Sequence, residues 1–216
     1  MKSTFCIAIC VLTFFIHTEA GATNITLNFV DAATATDNGP QDGVFDEFAP
    51  FNFGSVNNNG WTSFRTALEF DISAVPAGST INTATLNMYV NWVEETRSIA
   101  LHGYGGDGVI KLDDFSRNGL VNSTILNPPG SQNVVFNVVG FINSLVTDGE
   151  VFAGFNVRED PANASNFLVL FFDMDAPRLS IDFTSSSAVP EPSTMLLLGS
   201  GLIGLAGCGR KRFLKK

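Results

Sequence analysis

Three runs of neighbouring carboxylates, Glu94-Glu95, Asp113-Asp114 and Glu159-Asp160, are the residues of this chain best suited to acid–base chemistry. Two carboxyl groups flanking a glycosidic bond, one protonated and one ionised, can hydrolyse a polysaccharide. Adjacent residues on a strand point to opposite faces, so a working pair would have to be drawn from separate segments. Solvated loop charge is the plainer reading of all three. A nucleophilic triad would need His102, the one histidine between residues 23 and 190. The sequence holds no Gly-x-Ser-x-Gly turn between a strand and a helix to present a serine. A single histidine also cannot anchor zinc, which takes several His, Cys or carboxylate ligands. Calcium is better served. Asp37, Asp42 and Asp46 lie in or beside Asp37-Asn38-Gly39-Pro40-Gln41-Asp42-Gly43, an irregular segment rich in the oxygen ligands that calcium takes. A structural calcium is one expectation there, and an ordinary acidic turn is the other. Gly105-Gly106-Asp107-Gly108 offers one carboxylate and is the poorer site. Trp61, Trp92, Tyr89 and Tyr104 are candidates for stacking on sugar rings. Trp61 leads, because it follows the Asn57-Asn58-Asn59-Gly60 loop, whereas Trp92 shares the phase of Met88 and Val90 and belongs with the core. Phe45, Phe48, Phe51 and Phe53 are expected as core contacts.

The elements that must position these groups are strands. Phe64, Thr66, Leu68, Phe70 and Ile72 alternate with Arg65, Glu69 and Asp71, and Ala84, Leu86, Met88, Val90 and Trp92 alternate with Thr85, Asn87 and Asn91. A period of two is the signature of a strand with one face in the core. Further strands are predicted at 25–30, 98–104, 133–138, 151–157, 166–172 and 178–183. The stretch 167–172 is apolar on both faces, as in a central strand. One short helix is predicted over 139–146, with Gly149 helping to end it. Pro and Gly in Val75-Pro76-Ala77-Gly78 and Asn127-Pro128-Pro129-Gly130 supply the turns. Eight to ten short strands with almost no helix predict an all-β, antiparallel β-sandwich of the jelly-roll kind.

The ends are not part of that sandwich. Met1-Lys2, the apolar run Phe5–Ile16 and Ala20-Gly21-Ala22 have the order of a secretory signal peptide, residues 1–22, cut by signal peptidase. The β domain is expected over 23–184 and a small polar linker over 185–189. Met195–Gly209 is apolar and uncharged, just long enough with its flank for one short transmembrane helix. Arg210, Lys211 and Arg212 follow and should hold that end on the cytoplasmic side. Between residues 23 and 190 six Lys/Arg face nineteen Asp/Glu, a net charge of −13 within a chain of −9. Such a surface repels nucleic acid and suits cations or neutral glycans. Cys6, Cys10 and Cys208 all lie in the terminal segments, which excludes disulfides, a thiol nucleophile and a cysteine zinc site from the β domain.

Two resemblances follow from these residues. Val189-Pro190-Glu191-Pro192-Ser193-Thr194, the apolar run and Arg210-Lys211-Arg212, in that order behind a signal peptide, resemble the PEP-CTERM sorting signal, here residues 190–216. The resemblance implies Gram-negative bacteria that make exopolysaccharide, transit of the inner membrane, and processing at Pro190-Glu191-Pro192 by exosortase, a membrane cysteine protease. Arg65–Ile72, the Val75-Pro76-Ala77-Gly78 turn and Ala84-Thr85-Leu86-Asn87-Met88-Tyr89-Val90 resemble the DNRLRE-type domain, a β-sandwich related to carbohydrate-binding modules. Phe136-Asn137-Val138 and Pro177–Ile181 resemble its closing strands. Asn52-Phe53-Gly54 stands where that family has Asn-Tyr-Gly. Together these imply an exported, non-enzymatic protein of the cell surface or exopolysaccharide matrix that contacts glycan. A polysaccharide-acting enzyme and a calcium-stabilised adhesive module are the alternatives.

Overall fold

A computed structural model describes residues 21–38, 44–50, 53–58, 62–93, 96–127, 130–159, 169–172, 176–185 and 199–201. All but the last three belong to one compact unit, Gly21–Ser186. Residues 199–201 are helical. Among the described residues no helix is long and apolar enough to cross a membrane. Residues 1–20 of the expected signal peptide, the linker from residue 186 on, and Pro190, Glu191, Pro192, Arg210, Lys211 and Arg212 lie outside the described residues, while Ala22, the last residue expected in the signal peptide, is already paired with Thr184.

Eleven strands are described: β1 (Ala22–Asn38), β2 (Glu47–Pro50), β3 (Phe53–Asn58), β4 (Thr62–Asp71), β5 (Thr80–Trp92), β6 (Arg97–Gly105), β7 (Leu120–Leu126), β8 (Gln132–Asn137), β9 (Phe152–Glu159), β10 (Val169–Phe172) and β11 (Arg178–Thr184). Each is paired only antiparallel to its neighbours, in the order β2-β1-β11-β5-β10-β3-β4-β9-β6-β7, with β8 on β5. The sheet is nearly closed because two strands serve both of its layers. β1 pairs with β11 over residues 22–28 and, past an irregularity at Phe29/Asp31, with β4 over the rest. β3 pairs with β10 through residues 53–56 and with β4 at Asn57 and Asn58. One layer is therefore β8, β5, β11 and β10, and the other is β2, β4, β9, β6 and β7.

The alternating side chains fill the space between. Leu86, Met88, Phe136, Leu179 and Ile181 of the first layer share one core with Leu68, Phe70, Phe155, Ile99 and Leu101 of the second. Phe70 and Phe155 meet edge to face at 5.9 Å. Full burial of each such side chain contributes about 1.5–3 kcal/mol. The helix α1 (Val139–Asp148) adds Ile142, Leu145 and Val146. Asn137 Oδ1 accepts the Val139 N–H at its start. Gly149, at φ 78°, ends it while the Gly149 and Glu150 amides close on Val146 and Leu145, a left-handed cap that glycine adopts without a Cβ clash.

The predicted strands at 133–138, 151–157 and 178–183 and the helix are present within two residues at each end. β2, β3, β7 and the second half of β1 were not predicted. Asn57 and Asn58, expected in a loop, close a β3–β4 hairpin instead. β2 and β7 are edge strands among the described residues, and an edge needs little apolar patterning to be held by its single neighbour.

Candidate functional site

β4 and β9 depart from simple alternation. Thr66–Phe70 and Ala153–Glu159 are buried on both faces. The outer face carries small residues, Ala33 and Ala35 on β1, Ala67 on β4 and Gly154 on β9, which leaves room for a second layer. The segment 106–119 lies on it. Ile110 and Phe115 insert against those alanines and against Phe45 in a second apolar cluster. Phe115 tilts on Phe45 at 5.7 Å and on the exposed Phe48 at 6.4 Å.

Polar side chains of the sheet fasten the backbone of this strap. Arg65 Nη1 donates to the Phe115 carbonyl at 2.8 Å, and the same guanidinium stands 4.8 Å over the Phe45 ring. Asn156 Nδ2 donates to the carbonyls of Phe115, at 2.6 Å, and Asp114, at 3.2 Å. Arg158 donates to the Arg117 carbonyl and to Asn118 Oδ1. Glu69 Oε2 accepts the Gly108 N–H at 2.6 Å, and Asp31 Oδ2 accepts the Ile110 N–H at 2.9 Å. Buried backbone groups need such partners. A methyl group on Gly106 would stand 2.6 Å from the Glu69 carboxyl carbon, and one on Gly154 would strike the Tyr104 ring. The two glycines let the strap and the tyrosine lie close.

Burial sets the electrostatics. Glu69 is fully buried. Its carboxyl is pushed above its ordinary value by desolvation, against the Gly108 amide, with Asp114 adding to the rise. The buried Tyr104 hydroxyl stands beside the carboxyl and eases that rise. Tyr104 is pushed up by desolvation and then by Glu69. Asp114 is pushed up by burial although Oδ2 accepts the Lys111 amide. Arg158 falls to about 10 through burial, with Arg65 adding to the fall.

The predicted site residues scatter. Asp113 is exposed and pairs with Arg117 at 3.4 Å, while Asp114 faces inward. Glu159 is buried beside Arg97 at 3.8 Å. Glu94, Glu95 and Asp160 lie outside the described residues. His102 sits in β6, opposite Asn156. Asp37 is buried at the end of β1, near Arg65. Asp46 Oδ2 accepts the Asn38 N–H, and its own amide returns to Thr36. Asp42 lies outside the described residues, as does Trp61. Among the described residues no group of three or more His, Cys, Asp or Glu is placed to hold a metal. Tyr104 lies under the strap, and Tyr89 alone of the two tyrosines faces outward. Arg65 and Glu69, expected on a solvent face, are the strap's fastenings. Their signal in the sequence was the small residue, Ala67, between them on the same face.

A shallow cleft of about 330 Å³ opens between β7 and the β8–α1 junction, lined by glycine backbone at 103, 119 and 140 and by Leu120, Val121 and Phe141. Phe141 packs edge to face on Phe155.

No curated protein matches the chain. Among solved structures it is similar to a latent aurone synthase (polyphenol oxidase), with 11% identity and TM-score 0.37 over 56% of this chain and 25% of that one. It is similar to an exo-β-1,3-galactanase from Phanerochaete chrysosporium, with 9% identity and TM-score 0.31 over 74% and 29%. A carbohydrate-binding module of the β-sandwich superfamily gives 12% identity and TM-score 0.25 over 77% and 56%. The chain thus spans between a quarter and a third of the first two proteins. Residues 188–211 match the PEP-CTERM protein-sorting motif. That motif is the recognition signal for exosortase, and by it this chain is an exported protein sorted to the cell surface or extracellular space.

Proposed function

We propose that this chain is a non-enzymatic component of the cell surface or exopolysaccharide matrix, led out by a signal peptide and released from its C-terminal segment by exosortase, whose β domain contacts glycan without turning it over. The observation that carries the reading is the sorting motif at 188–211. It follows a domain whose half-buried Arg65 and buried Glu69, Asn156 and Arg158 all bond to the domain's own strap. A glycosidase needs two carboxyl groups that reach the sugar, and Glu69 and Asp114 are both turned to backbone amides. The net charge of −13 over residues 23–190 favours neutral glycan over acidic polymers. Trp61 remains the first stacking candidate from the sequence. The test is affinity electrophoresis of the exported protein in gels containing the host's exopolysaccharide, with reducing ends measured in parallel. Retardation without release of reducing ends is expected, and release of reducing ends or unsaturated products overturns the non-enzymatic reading.

A further inference from the structure

The layer formed by β8, β5, β11 and the first half of β1 has an outer face unlike the rest of the domain. On β5, Thr85, Asn87 and Tyr89 alternate with the buried Leu86, Met88 and Val90, so the three share that face. The register places Thr26, Ser180, Thr85 and Asn137 in one row across the four strands. The hydroxyls of Thr26 and Ser180 stand 3.3 Å apart, and Asn87 Nδ2 reaches Thr85 Oγ1 at 3.4 Å. The next row is Asn28, Arg178, Asn87 and Val135. Tyr89, half-buried, and Asn133 begin the row beyond. Val135 is 57% exposed. Arg178 is the one charge in these rows. Asp182, on the far side of the Thr26 row, is engaged by Asn82 at 2.6 Å. A domain of net charge −13 therefore presents one face made of hydroxyls, carboxamides, an aromatic ring and an exposed valine, with the exposed Arg178 as its one charge.

We propose that this face binds a neutral polysaccharide chain laid across the strands, over the Asn28–Arg178–Asn87–Val135 row. The Thr26–Asn137 row would flank it on one side and the Tyr89 ring on the other. The inference rests on the glycan-contact reading above and names its surface. Neighbouring strands lie about 4.8 Å apart, close to the length of one pyranose in an extended chain, so successive sugars meet successive rungs. Hydroxyls and carboxamides both donate and accept, as sugar hydroxyls do. Neutral groups are also far cheaper to strip of water than charges. Tyr89 and Val135 give apolar surface to the ring faces, and the Tyr89 hydroxyl stays wet. The domain's net charge of −13 disfavours an acidic chain, with Arg178 the one local cation.

The exported protein, purified from its host, is run in gels containing that host's exopolysaccharide, divided by anion exchange into an unretained neutral fraction and a retained acidic one. The neutral fraction should retard the wild-type protein. Asn87→Ala with Tyr89→Ala should weaken that retardation about tenfold, the effect of losing one to two net hydrogen bonds or contacts, at an unchanged melting temperature. Thr85→Val, which keeps the shape and removes one hydroxyl, should weaken it less, in the same direction. Retardation by the neutral fraction that all three substitutions leave intact overturns this face as the site and leaves glycan contact standing. Retardation by the acidic fraction alone overturns the neutral-ligand assignment. No retardation in either gel overturns both the face and the glycan-contact reading.

Discussion

Replacing Glu69 by Gln should stabilise the domain at neutral pH and do nothing for it in acid. In the wild type the carboxyl is fully buried, receives the Gly108 amide, and has the buried Tyr104 hydroxyl as its other neighbour. Desolvation raises its folded pKa above the ordinary 4.5. The folded state therefore holds its proton to higher pH than the unfolded state. Stability from this group is fully present below pH 4.5 and is lost as pH rises through the folded value. Gln keeps the acceptor for Gly108 and carries no charge, so its stability has no such slope. Burying a carboxylate charge costs more than burying a neutral amide of the same shape, and in a domain of this size 1 kcal/mol moves Tm by about 2–4 °C. Glu69→Gln should thus melt several degrees above wild type at pH 7 and level with it at pH 4. Asp114, raised by burial as well, keeps part of the slope in both proteins. Glu69→Ala, which strands the Gly108 amide and opens a cavity, should melt below wild type at both pH values. Thermal unfolding followed by circular dichroism at the two pH values decides. A Glu69→Gln protein that melts below wild type at pH 7 would show that the charge is required, and the account of the strap would be wrong.

Asn156→Ala removes the donor to two strap carbonyls and should cost about 1–3 kcal/mol, read as a lower denaturant midpoint. Leu68→Ala, at a fully buried β4 position, should cost about 2–5 kcal/mol through lost burial and the cavity left behind; a loss under 1 kcal/mol would place Leu68 outside the core. EGTA should leave the melting temperature unchanged, because Asp46 already accepts the Asn38 amide and Asp37 is buried near Arg65; a clear fall would assign a calcium ion to the 37–46 segment.

The interior was legible in the sequence where one face of a strand met the core. The Leu68-Phe70-Ile72 and Leu86-Met88-Val90 phases are the phases of the buried side chains, and Gly149 ends the helix in a left-handed conformation. The outer layer was not. Glu69 has the sequence environment of a solvent-facing strand residue, and only the strap makes it internal. The strap is held by side chains bonding to its backbone, a contact that leaves no periodicity. The alanines and glycine beneath it were the one trace, since β-strand surfaces open to water favour larger β-branched or aromatic residues. Of the carboxylate pairs, Asp113-Asp114 falls in the short 3-10 turn Leu112–Ser116, where Asp114 is turned in and Asp113 out.

The central claim is that Pro190-Glu191-Pro192, within the motif at 188–211, is a processing signal. Mass spectrometry of the mature protein recovered from outside the native host's cells tests it most directly. The account predicts a C-terminus close to that tripeptide, with Arg210–Lys216 gone, and accumulation of full-length precursor in the inner membrane when Glu191 is replaced by Ala. An extracellular protein that still ends at Lys216 would contradict it.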